Sequence, residues 1–491
     1  MFQVKIQQYP AKGFKVHREV DAVIIGAGTA GLSALAQIRK RTDNFVIVNE
    51  GHYGTTCARV GCMPSKALIE AAAVYHERLL YQKMGLRLDG EIHVDGRAVM
   101  ERVRKLRDGF VSGVKRATDS LDDQHNIPGH ASILAPDLIE VNGMKIKTKS
   151  LIIAAGSTPV VPGPWKKLGD SLLTSDTVFE MEDLPESMAV VGLGAVGLEL
   201  AQALSRLGVK VCGFDAADTV GGITDPEIAG VAEEIMQEDF PVHTGAQVKL
   251  SPSQNGGVLV EWNGERIQVE KVLAAVGRRP NTGDLGLENL GVELNDSGLP
   301  PFDENTMQVA DLPVFIAGDV NQRAPILHEA ADDGHIAGYN AMLKEDEKHR
   351  FCRRVPMGIV FTHPNIAYAG NKYGELKSED TVTAEKDFSG QSRLKTAGIN
   401  HGMLRLYASR STAKLLGAEM IIPAAEHIAH SLAWVLEKEL TVYQILHLPF
   451  YHPVIEEGVR GAVRKLAGKI QKKEPAPEVP LCGKLPDQSL E

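Results

Sequence analysis

Cysteine is scarce in this chain, which has 5 cysteines among 491 residues. So few cysteines, in an odd number, argue against a fold held together by disulfides and favour a reducing compartment. We therefore expect any disulfide in this protein to be catalytic or regulatory.

The chain also lacks long apolar runs and an excess of basic residues. No run approaches the roughly 20 apolar residues that a membrane-spanning helix needs, and the N-terminus lacks the apolar core and cleavage site of a secretory signal. A formal net charge of -10 gives no electrostatic basis for binding nucleic acid or an anionic membrane. We expect a cytoplasmic protein with no nucleic-acid or membrane partner and no bound metal.

A glycine-rich turn follows the first predicted strand. The apolar run 21–25 predicts a buried parallel strand, and Gly26, Gly28 and Gly31 follow it, leading into a helix predicted to extend to about Lys40. Glycines in such a turn let the backbone approach a pyrophosphate, and the helix N-terminus favours its negative charge. The turn therefore predicts a dinucleotide site.

An acidic residue follows the next predicted strand, residues 45–48. Glu50 lies 24 residues beyond Gly26, about where a βαβ unit places a carboxylate on a ribose hydroxyl. Asn49 is the alternative occupant of that strand-end position. Glu50 is our candidate for the ribose, with Asn49 left open.

The same arrangement occurs a second time. The apolar run 189–191 leads into Gly192, Gly194 and Gly197, and Asp215 ends the next strand, 23 residues beyond Gly192. Either glycine triplet alone could be a tight turn before a packed helix, but two copies favour two dinucleotide sites. Since Ala216 and Ala217 follow Asp215 and offer no cation for a 2′-phosphate, the second site should prefer NAD(H) to NADP(H).

Two cysteines, Cys57 and Cys62, stand between the two glycine units. Residues five apart on a regular α-helix have Cα atoms about 8.6 Å apart, whereas a disulfide tolerates less than about 7 Å. If the two sulfurs bond, the segment must be distorted, and Gly61 and Pro64 supply a place for that. Pro64 also suits the first turn of a new helix.

Nearby cations would make these thiols reactive. Arg59 and Lys66 are close in sequence to the cysteines, and cations together with a helix N-terminus lower thiol pKa values. The alternative is a pair of inert, buried thiols.

The chain closely resembles the flavin disulfide reductases from about Val20 to Gly468. This family includes dihydrolipoamide dehydrogenase, glutathione reductase and mercuric reductase. The marks are the two cysteines with residues 60–61 and 64–66 around them, both glycine units, the late pair Gly318 and Asp319, and the His452-Pro453 dipeptide. The best match is the lipoamide-dehydrogenase-like branch.

The resemblance implies an α/β fold with two nested Rossmann-like dinucleotide-binding domains and a C-terminal α+β dimerisation domain. Apolar runs that stop at Gly156, Gly277 and Gly318 suggest where the chain crosses between the nested domains. The expected limits are 1–158 and 281–347 for the FAD-binding domain, 159–280 for the NAD-binding domain and 348–470 for the dimerisation domain. Within the last, helices are predicted from about Ala425 to Glu439 and from Val454 to Ala467, and the proline-rich tail 471–491 is expected to be extended or disordered.

The resemblance also assigns residues to the cofactors FAD and NAD(H). The FAD residues are Gly26, Gly28, Gly31, Glu50 and Asp319; those for NAD are Gly192, Gly194, Gly197 and Asp215; further cofactor-binding residues are Thr56, Lys66, Gly156, Gly277 and Gly318. Lys66 resembles the lysine near flavin N5, and Glu199 resembles its carboxylate partner.

The same resemblance gives the catalytic roles. Cys62 is expected nearer the flavin, and Cys57 exchanges with a small-molecule or lipoyl-type disulfide. His452 and Glu457 match the family's acid–base pair, although a turn histidine with a helix-capping carboxylate is the alternative. Because the family builds this site across a subunit boundary, we expect a homodimer in which His452 serves the partner's cysteines.

Departures from the family pattern leave the substrate open. Arg59 adds a cation between the cysteines, and Glu456 adds a carboxylate beside the base, so another small disulfide could be the substrate. Mercuric reductase is disfavoured because Cys482 stands alone near the C-terminus, and glutathione reductase because no basic residues follow Asp215. A flavin redox sensor without turnover is the alternative from another class, although it would need no acid–base pair.

Overall fold

The computed structural model describes residues 15–377, 379–470 and 478–481. The strands are β1 (Arg18–Ile25), β2 (Phe45–Asn49), β3 (Asn126–Pro128), β4 (Ala131–Ala135), β5 (Leu138–Val141), β6 (Met144–Ile153), β7 (Ser157–Pro159), β8 (Leu172–Thr174), β9 (Ser187–Val191), β10 (Lys210–Phe214), β11 (Val242–His243), β12 (Lys249–Pro252), β13 (Val258–Trp262), β14 (Glu265–Val269), β15 (Lys271–Ala274), β16 (Arg278–Pro280), β17 (Val314–Ile316), β18 (Met357–Val360), β19 (Asn365–Gly370), β20 (Thr381–Asp387), β21 (Met403–Ser409) and β22 (Leu415–Ile422). The helices are α1 (Thr29–Ile38), α2 (Thr56–Arg59), α3 (Cys62–His76), α4 (Gly96–Asp119), α5 (Ala195–Arg206), α6 (Pro226–Gln237), α7 (Leu327–Ala341), α8 (Ser392–Ala397), α9 (Ala425–Glu437), α10 (Val442–Leu446) and α11 (Glu457–Lys469).

The first sheet has a parallel core in the order β3-β2-β1-β6-β17, and β6 continues into an antiparallel extension with β5 and β4. Side chains alternate between its two faces, as the strand period requires. Ile24 and Ile47 pack towards α1 and α7, whereas Val23 and Val46 pack on the opposite face. Both faces are therefore covered, which explains why these strands are continuous apolar runs.

The second sheet is entirely parallel, in the order β11-β10-β9-β15-β8. Helix α5 covers one face, and the small antiparallel sheet of β12, β13 and β14 covers the other through Phe214 and Trp262. Because all strands of the second sheet come from residues 172–274, it is inserted between β6 and β17 of the first. This nesting is the predicted α/β architecture.

A two-stranded ribbon lies where the chain passes between the two sheets. Strands β7 and β16 pair antiparallel, with Arg278 opposite Pro159 and Pro280 opposite Ser157. The outgoing and returning segments are therefore hydrogen-bonded side by side. We propose the domain limits expected above, 1–158 with 281–347, 159–280 and 348–470, on the basis of this ribbon and the sheet memberships.

The C-terminal sheet is antiparallel, in the order β18-β19-β22-β21-β20, and packs against α9, α10 and α11 around a separate apolar core. Helix α9 begins where predicted, but α11 begins at Glu457 rather than Val454. The reason is that the Glu457 carboxylate accepts the Val454 N–H, so residues 454–456 form a turn before the helix. Helix α1 similarly ends at Ile38, two residues before the predicted end.

No helix in the three described stretches of the chain has the length and apolar content to span a bilayer. The predicted tail, residues 471–491, lies outside the described residues except for 478–481.

Two helices of the first domain pack with their backbones nearly touching. A Cβ added at Gly334 of α7 would lie 2.0 Å from the Ala30 carbonyl oxygen of α1, and one at Gly338 would lie 2.5 Å from that of Ala34. Such distances are below van der Waals contact, so the helices must separate to accept any side chain. The glycine spacing thus fixes how closely α7 approaches α1.

We expect Gly334→Ala to lower the free energy of unfolding by about 1–3 kcal/mol, because overpacking forces the two helices apart. Gly109→Ala is the matched control, since Gly109 is also helical but a Cβ there meets nothing within 4 Å. The control should leave stability unchanged or raise it by up to about 1 kcal/mol. Thermal unfolding of both purified variants tests this; equal melting temperatures would contradict it.

Candidate active site

The two cysteines lie on either side of a break between two helices. Cys57 is in the short helix α2, Cys62 begins α3, and Gly61 between them has non-helical dihedral angles. A Cβ at Gly61 would lie only 3.1 Å from the Cys57 Cα. The predicted distortion is therefore present, and the two thiols are hydrogen-bonded to each other.

That hydrogen bond makes the two thiols unequal. The Cys57 S–H, which donates it, has a raised pKa because of this bond and its burial. The same bond, helped by the positive charge of Lys66, lowers the pKa of Cys62 to about 7. At neutral pH the pair therefore favours a thiolate at Cys62 and a protonated thiol at Cys57.

Lys66, which lies one turn beyond Cys62 on α3, forms an ion pair with Glu199. The Lys66 Nζ lies 3.0 Å from Oε1 and 2.8 Å from Oε2 of Glu199. The Glu199 side chain, on α5, is only 7% exposed. Because α5 follows the second glycine turn, this pair joins the second nucleotide unit to the cysteine segment.

One cavity brings nine of the predicted site residues together. Its lining includes Gly28, Thr56, Cys57, Cys62, Lys66, Gly156, Glu199, Gly318 and Asp319. A second cavity, lined by Gly26, Asn49, Glu50 and His130, lies at the other side of the same glycine turn. The two cavities thus lie on either side of the first glycine turn.

The first glycine turn has the shape of a dinucleotide cradle. A Cβ at Gly26 would lie 2.3 Å from the Ala154 oxygen, and one at Gly31 would lie 1.9 Å from the Gly26 oxygen. At Gly28 a Cβ would meet nothing within 4 Å. The outer glycines thus allow tight backbone packing, and the middle one leaves open space at the start of α1, where a pyrophosphate fits.

The second turn repeats this pattern almost exactly. A Cβ at Gly192 would lie 2.4 Å from the Ala275 oxygen, one at Gly197 would lie 1.8 Å from the Gly192 oxygen, and Gly194 faces open space. Gly277 lies in the loop after β15, two residues beyond Ala275. The residues present therefore fit two dinucleotides, one at each turn.

The strand-end position of the first unit belongs to Asn49, not to Glu50. The Asn49 Oδ1 accepts the Ala27 N–H at 2.9 Å, and the Asp215 Oδ2 accepts the Leu193 N–H at 2.6 Å in the second unit. The two side chains are structural equivalents. Asn49 is the last residue of β2, so the side chain of Glu50 leaves the strand in a different direction.

Glu50 instead pairs with a histidine that no sequence pattern singled out. Its Oε2 lies 2.8 Å from Nδ1 of His130, whose Nε2 lies 2.9 Å from the Asp284 carbonyl oxygen. The carboxylate raises the pKa of His130. Glu50 still lines the second cavity, so its predicted role at the FAD ribose stays a prediction.

Arg278 is another residue that sequence analysis missed. Its Nε donates to the Ser157 Oγ at 2.8 Å, and that hydroxyl donates to Asp319 at 3.0 Å. Arg278 itself lines the cavity with the cysteines. It therefore orients Asp319 through Ser157, a contact between segments more than 100 residues apart that no local pattern could reveal.

His452 and Glu457 are paired but lie outside this cavity. The His452 Nδ1 donates to the Glu457 Oε1 at 2.9 Å, and this bond lowers the pKa of Glu457. The His452 side chain is 75% exposed. Within one chain the pair therefore faces solvent, and neither residue lines the cavity that holds Cys57 and Cys62.

In the part of the chain that the structure describes, no group of three or more His, Cys, Asp and Glu side chains is placed to hold a metal ion.

Comparison with protein-family models agrees with this geometry. Residues 20–334 match the model of the pyridine nucleotide-disulphide oxidoreductases, and residues 356–463 match the dimerisation domain of the same family. The chain belongs to this family. Pyridine nucleotide-disulphide oxidoreductases use FAD and NAD(H), the two dinucleotides that the glycine turns fit, and within the family the chain is lipoamide-dehydrogenase-like.

Curated relatives carry more than one activity. The chain is 28% identical over 450 residues to a dihydrolipoyl dehydrogenase of Chlamydia pneumoniae, covering 90% of this chain and 95% of that one. It is 29% identical over 439 residues to a mercuric reductase of Staphylococcus aureus, covering 86% and 78%. These relatives place the chain among disulfide oxidoreductases without deciding its substrate.

Solved structures show the same fold. The HOCl-induced flavoprotein disulfide reductase RclA from Escherichia coli matches with a TM-score of 0.79 at 21% identity, covering 91% of this chain and 99% of that one. LpdA from Mycobacterium tuberculosis matches with a TM-score of 0.78 at 23% identity, covering 91% and 100%.

We expect the thiolate of Cys62 to form with a midpoint near pH 7, and two substitutions to move this midpoint in opposite directions. Lys66→Met removes a cation that favours the thiolate and should raise the Cys62 pKa by about one unit. Glu199→Gln removes an anion that opposes the thiolate and should lower it, provided that Lys66 stays charged. The pH dependence of iodoacetamide alkylation, resolved by peptide mass spectrometry, measures both; shifts of the same sign would refute this electrostatic account.

Proposed function

We propose that this chain transfers electrons between NAD(H), FAD, the Cys57–Cys62 pair and a lipoyl-type disulfide, acting as a dihydrolipoyl dehydrogenase-like enzyme. The observation that carries the proposal is the single cavity that holds both thiols, the Lys66–Glu199 pair and the first glycine turn. Two thiols, a half-buried cation and a dinucleotide cradle are thus in one place.

The thiols would act in two exchange steps. When bound, FAD supplies the hydride chemistry that links NADH to the cysteine pair. The Cys57 sulfur attacks one sulfur of the substrate disulfide, forming a mixed disulfide and releasing the other sulfur as a thiol. The Cys62 thiolate then attacks Cys57, which releases the second substrate sulfur as a thiolate, protonated from solvent, and leaves the Cys57–Cys62 disulfide.

The first step needs a base, because the pKa of Cys57 is raised and the thiol holds its proton at neutral pH. His452 is suited to remove it. Glu457 accepts a hydrogen bond from the Nδ1–H and so fixes the tautomer in which Nε2 is the free acceptor. The base would return this proton to the substrate thiolate that leaves.

The proposed substrate class rests on the relatives, and two side chains favour a second candidate. Dihydrolipoyl dehydrogenases among the relatives favour a lipoyl substrate. Arg59, which stands between the cysteines in the sequence, and Glu456, beside the base, are both half-buried charged residues, and they favour a second candidate, another small disulfide. A substrate panel separates the two.

We expect purified, FAD-loaded enzyme to oxidise NADH with lipoamide and to turn over far more slowly with NADPH, since Ala216 and Ala217 after Asp215 offer no cation for a 2′-phosphate. Cys57→Ser should lower kcat by about 10³-fold, because the attacking sulfur is gone. Cys212→Ser is the control, as this half-buried cysteine of β10 lies outside the cavity.

Each outcome of this substrate panel supports or rejects one of the proposed functions. Turnover with other disulfides but not lipoamide would support the second candidate. Reduction by NADH without turnover on any disulfide would support a redox sensor and reject the enzyme. A preference for NADPH would contradict the argument from Asp215.

We also propose that the active site is completed by a second copy of the chain. Residues 356–463 match the family's dimerisation domain, and the exposed His452 can then approach the partner's Cys57. Neither Cys57→Ser nor His452→Ala homodimers should be active. A heterodimer of the two variants has one intact site of two and should recover about half of wild-type activity.

Isolating the heterodimer with two different affinity tags makes this measurement direct. If His452 instead served the cysteines of its own chain, every site in the heterodimer would carry one defect. Inactive heterodimers that still bind FAD would therefore exclude a shared site.

A further inference from the structure

A turn of the C-terminal domain reaches the Lys66–Glu199 pair. This turn, residues 361–363, follows β18, and the Phe361 backbone N–H donates to the Glu199 Oε1 at 2.9 Å. The Phe361 ring lies over the lysine, with Nζ of Lys66 4.2 Å from the ring centroid. The ammonium is therefore held between a carboxylate and the face of an aromatic ring.

The same turn is fastened to α5 beyond Glu199. His363 N–H donates to the Gln202 Oε1 at 2.8 Å, and the His363 carbonyl accepts from Gln202 Nε2 at 3.0 Å and from Arg206 Nη2 at 2.7 Å. Arg206 is itself bound to Asp239 at 2.9 Å. These contacts fix the backbone of the turn on α5, so the Phe361 Cα is held beside Lys66.

The ring changes the surroundings of the ammonium in two ways. Its negative face attracts the cation directly, and its bulk keeps water from one side of Lys66, whose side chain is 29% exposed. A charge that is less screened acts more strongly on its neighbours. One of those neighbours is Cys62, four residues before Lys66 on α3.

We propose that Phe361 is a positioning residue, supplied by the C-terminal domain, that holds the Lys66 ammonium where it stabilises the Cys62 thiolate. This inference rests on the proposed function in that the thiolate is expected beside the flavin. It adds that the dimerisation domain acts on the redox centre of its own chain, independently of what His452 does in the partner.

The test compares Phe361→Leu with Phe361→Tyr in the FAD-loaded dimer. After anaerobic reduction, the long-wavelength absorbance of a thiolate beside oxidised flavin is followed against pH. Leucine removes the ring and should raise the apparent pKa of Cys62 by about half a unit, a threefold change in the thiol–thiolate equilibrium. Tyrosine keeps the ring and should restore the wild-type midpoint.

Arg206→Gln is the matched control, because it removes a contact between the turn and α5 but leaves the ring in place. Its midpoint should equal the wild type. A shift as large as that of Phe361→Leu would mean that general loosening of the turn, rather than the ring, moves the pKa, and would overturn the proposal. So would an unshifted Phe361→Leu.

The outcomes also separate this inference from the proposed function. If wild-type enzyme gives no thiolate absorbance at any pH, the proposed function fails. If the wild type gives it and Phe361→Leu does not shift it, only the role of Phe361 fails. Should the leucine variant lose FAD, the pH profile of Cys62 alkylation in all four proteins provides the same comparison without the cofactor.

Discussion

The Lys66–Glu199 ion pair is the contact on which the arrangement of the site depends. Burying a carboxylate is costly unless its oxygens are satisfied, and breaking such a pair typically costs about 3–5 kcal/mol because a buried charge is left behind. Glu199 is satisfied by both bonds from Lys66 and by the Phe361 N–H. As a result α3, which carries Cys62, α5, which follows the second glycine turn, and the C-terminal turn cannot shift independently.

The two nucleotide units share one hydrogen-bond arrangement at the glycine turn but differ in charge. In each, a strand-end side chain accepts the N–H that follows the first glycine, Asn49 for Ala27 and Asp215 for Leu193. The first unit thus places an uncharged amide where the second has a carboxylate. Its acidic residue, Glu50, lies one position further and is balanced by His130. Closely similar backbone geometry therefore carries two different electrostatic surroundings.

Sequence analysis predicted best the features that depend on residues close together in the chain. The glycine turns and the break between Cys57 and Cys62 depend on sterics within a few residues, so their spacing alone was informative. Glu199 could be paired with Lys66 only through the family resemblance. Phe361 and Arg278 act across 162 and 121 residues of sequence, and no periodicity links them to the site. The choice between Asn49 and Glu50 needed the exact end of β2.

The exposed position of His452 is best explained together with the cavity of Cys57, whose described lining contains no histidine. A histidine and a carboxylate in water gain little from pairing, so this pair by itself contributes little to the stability of one chain. Cys57, by contrast, has a raised pKa, and no histidine is among the described residues that line its cavity. One chain thus presents its histidine base away from its own cysteine pair. We propose that association of two copies brings the His452 base of one chain to the Cys57 thiol of the other.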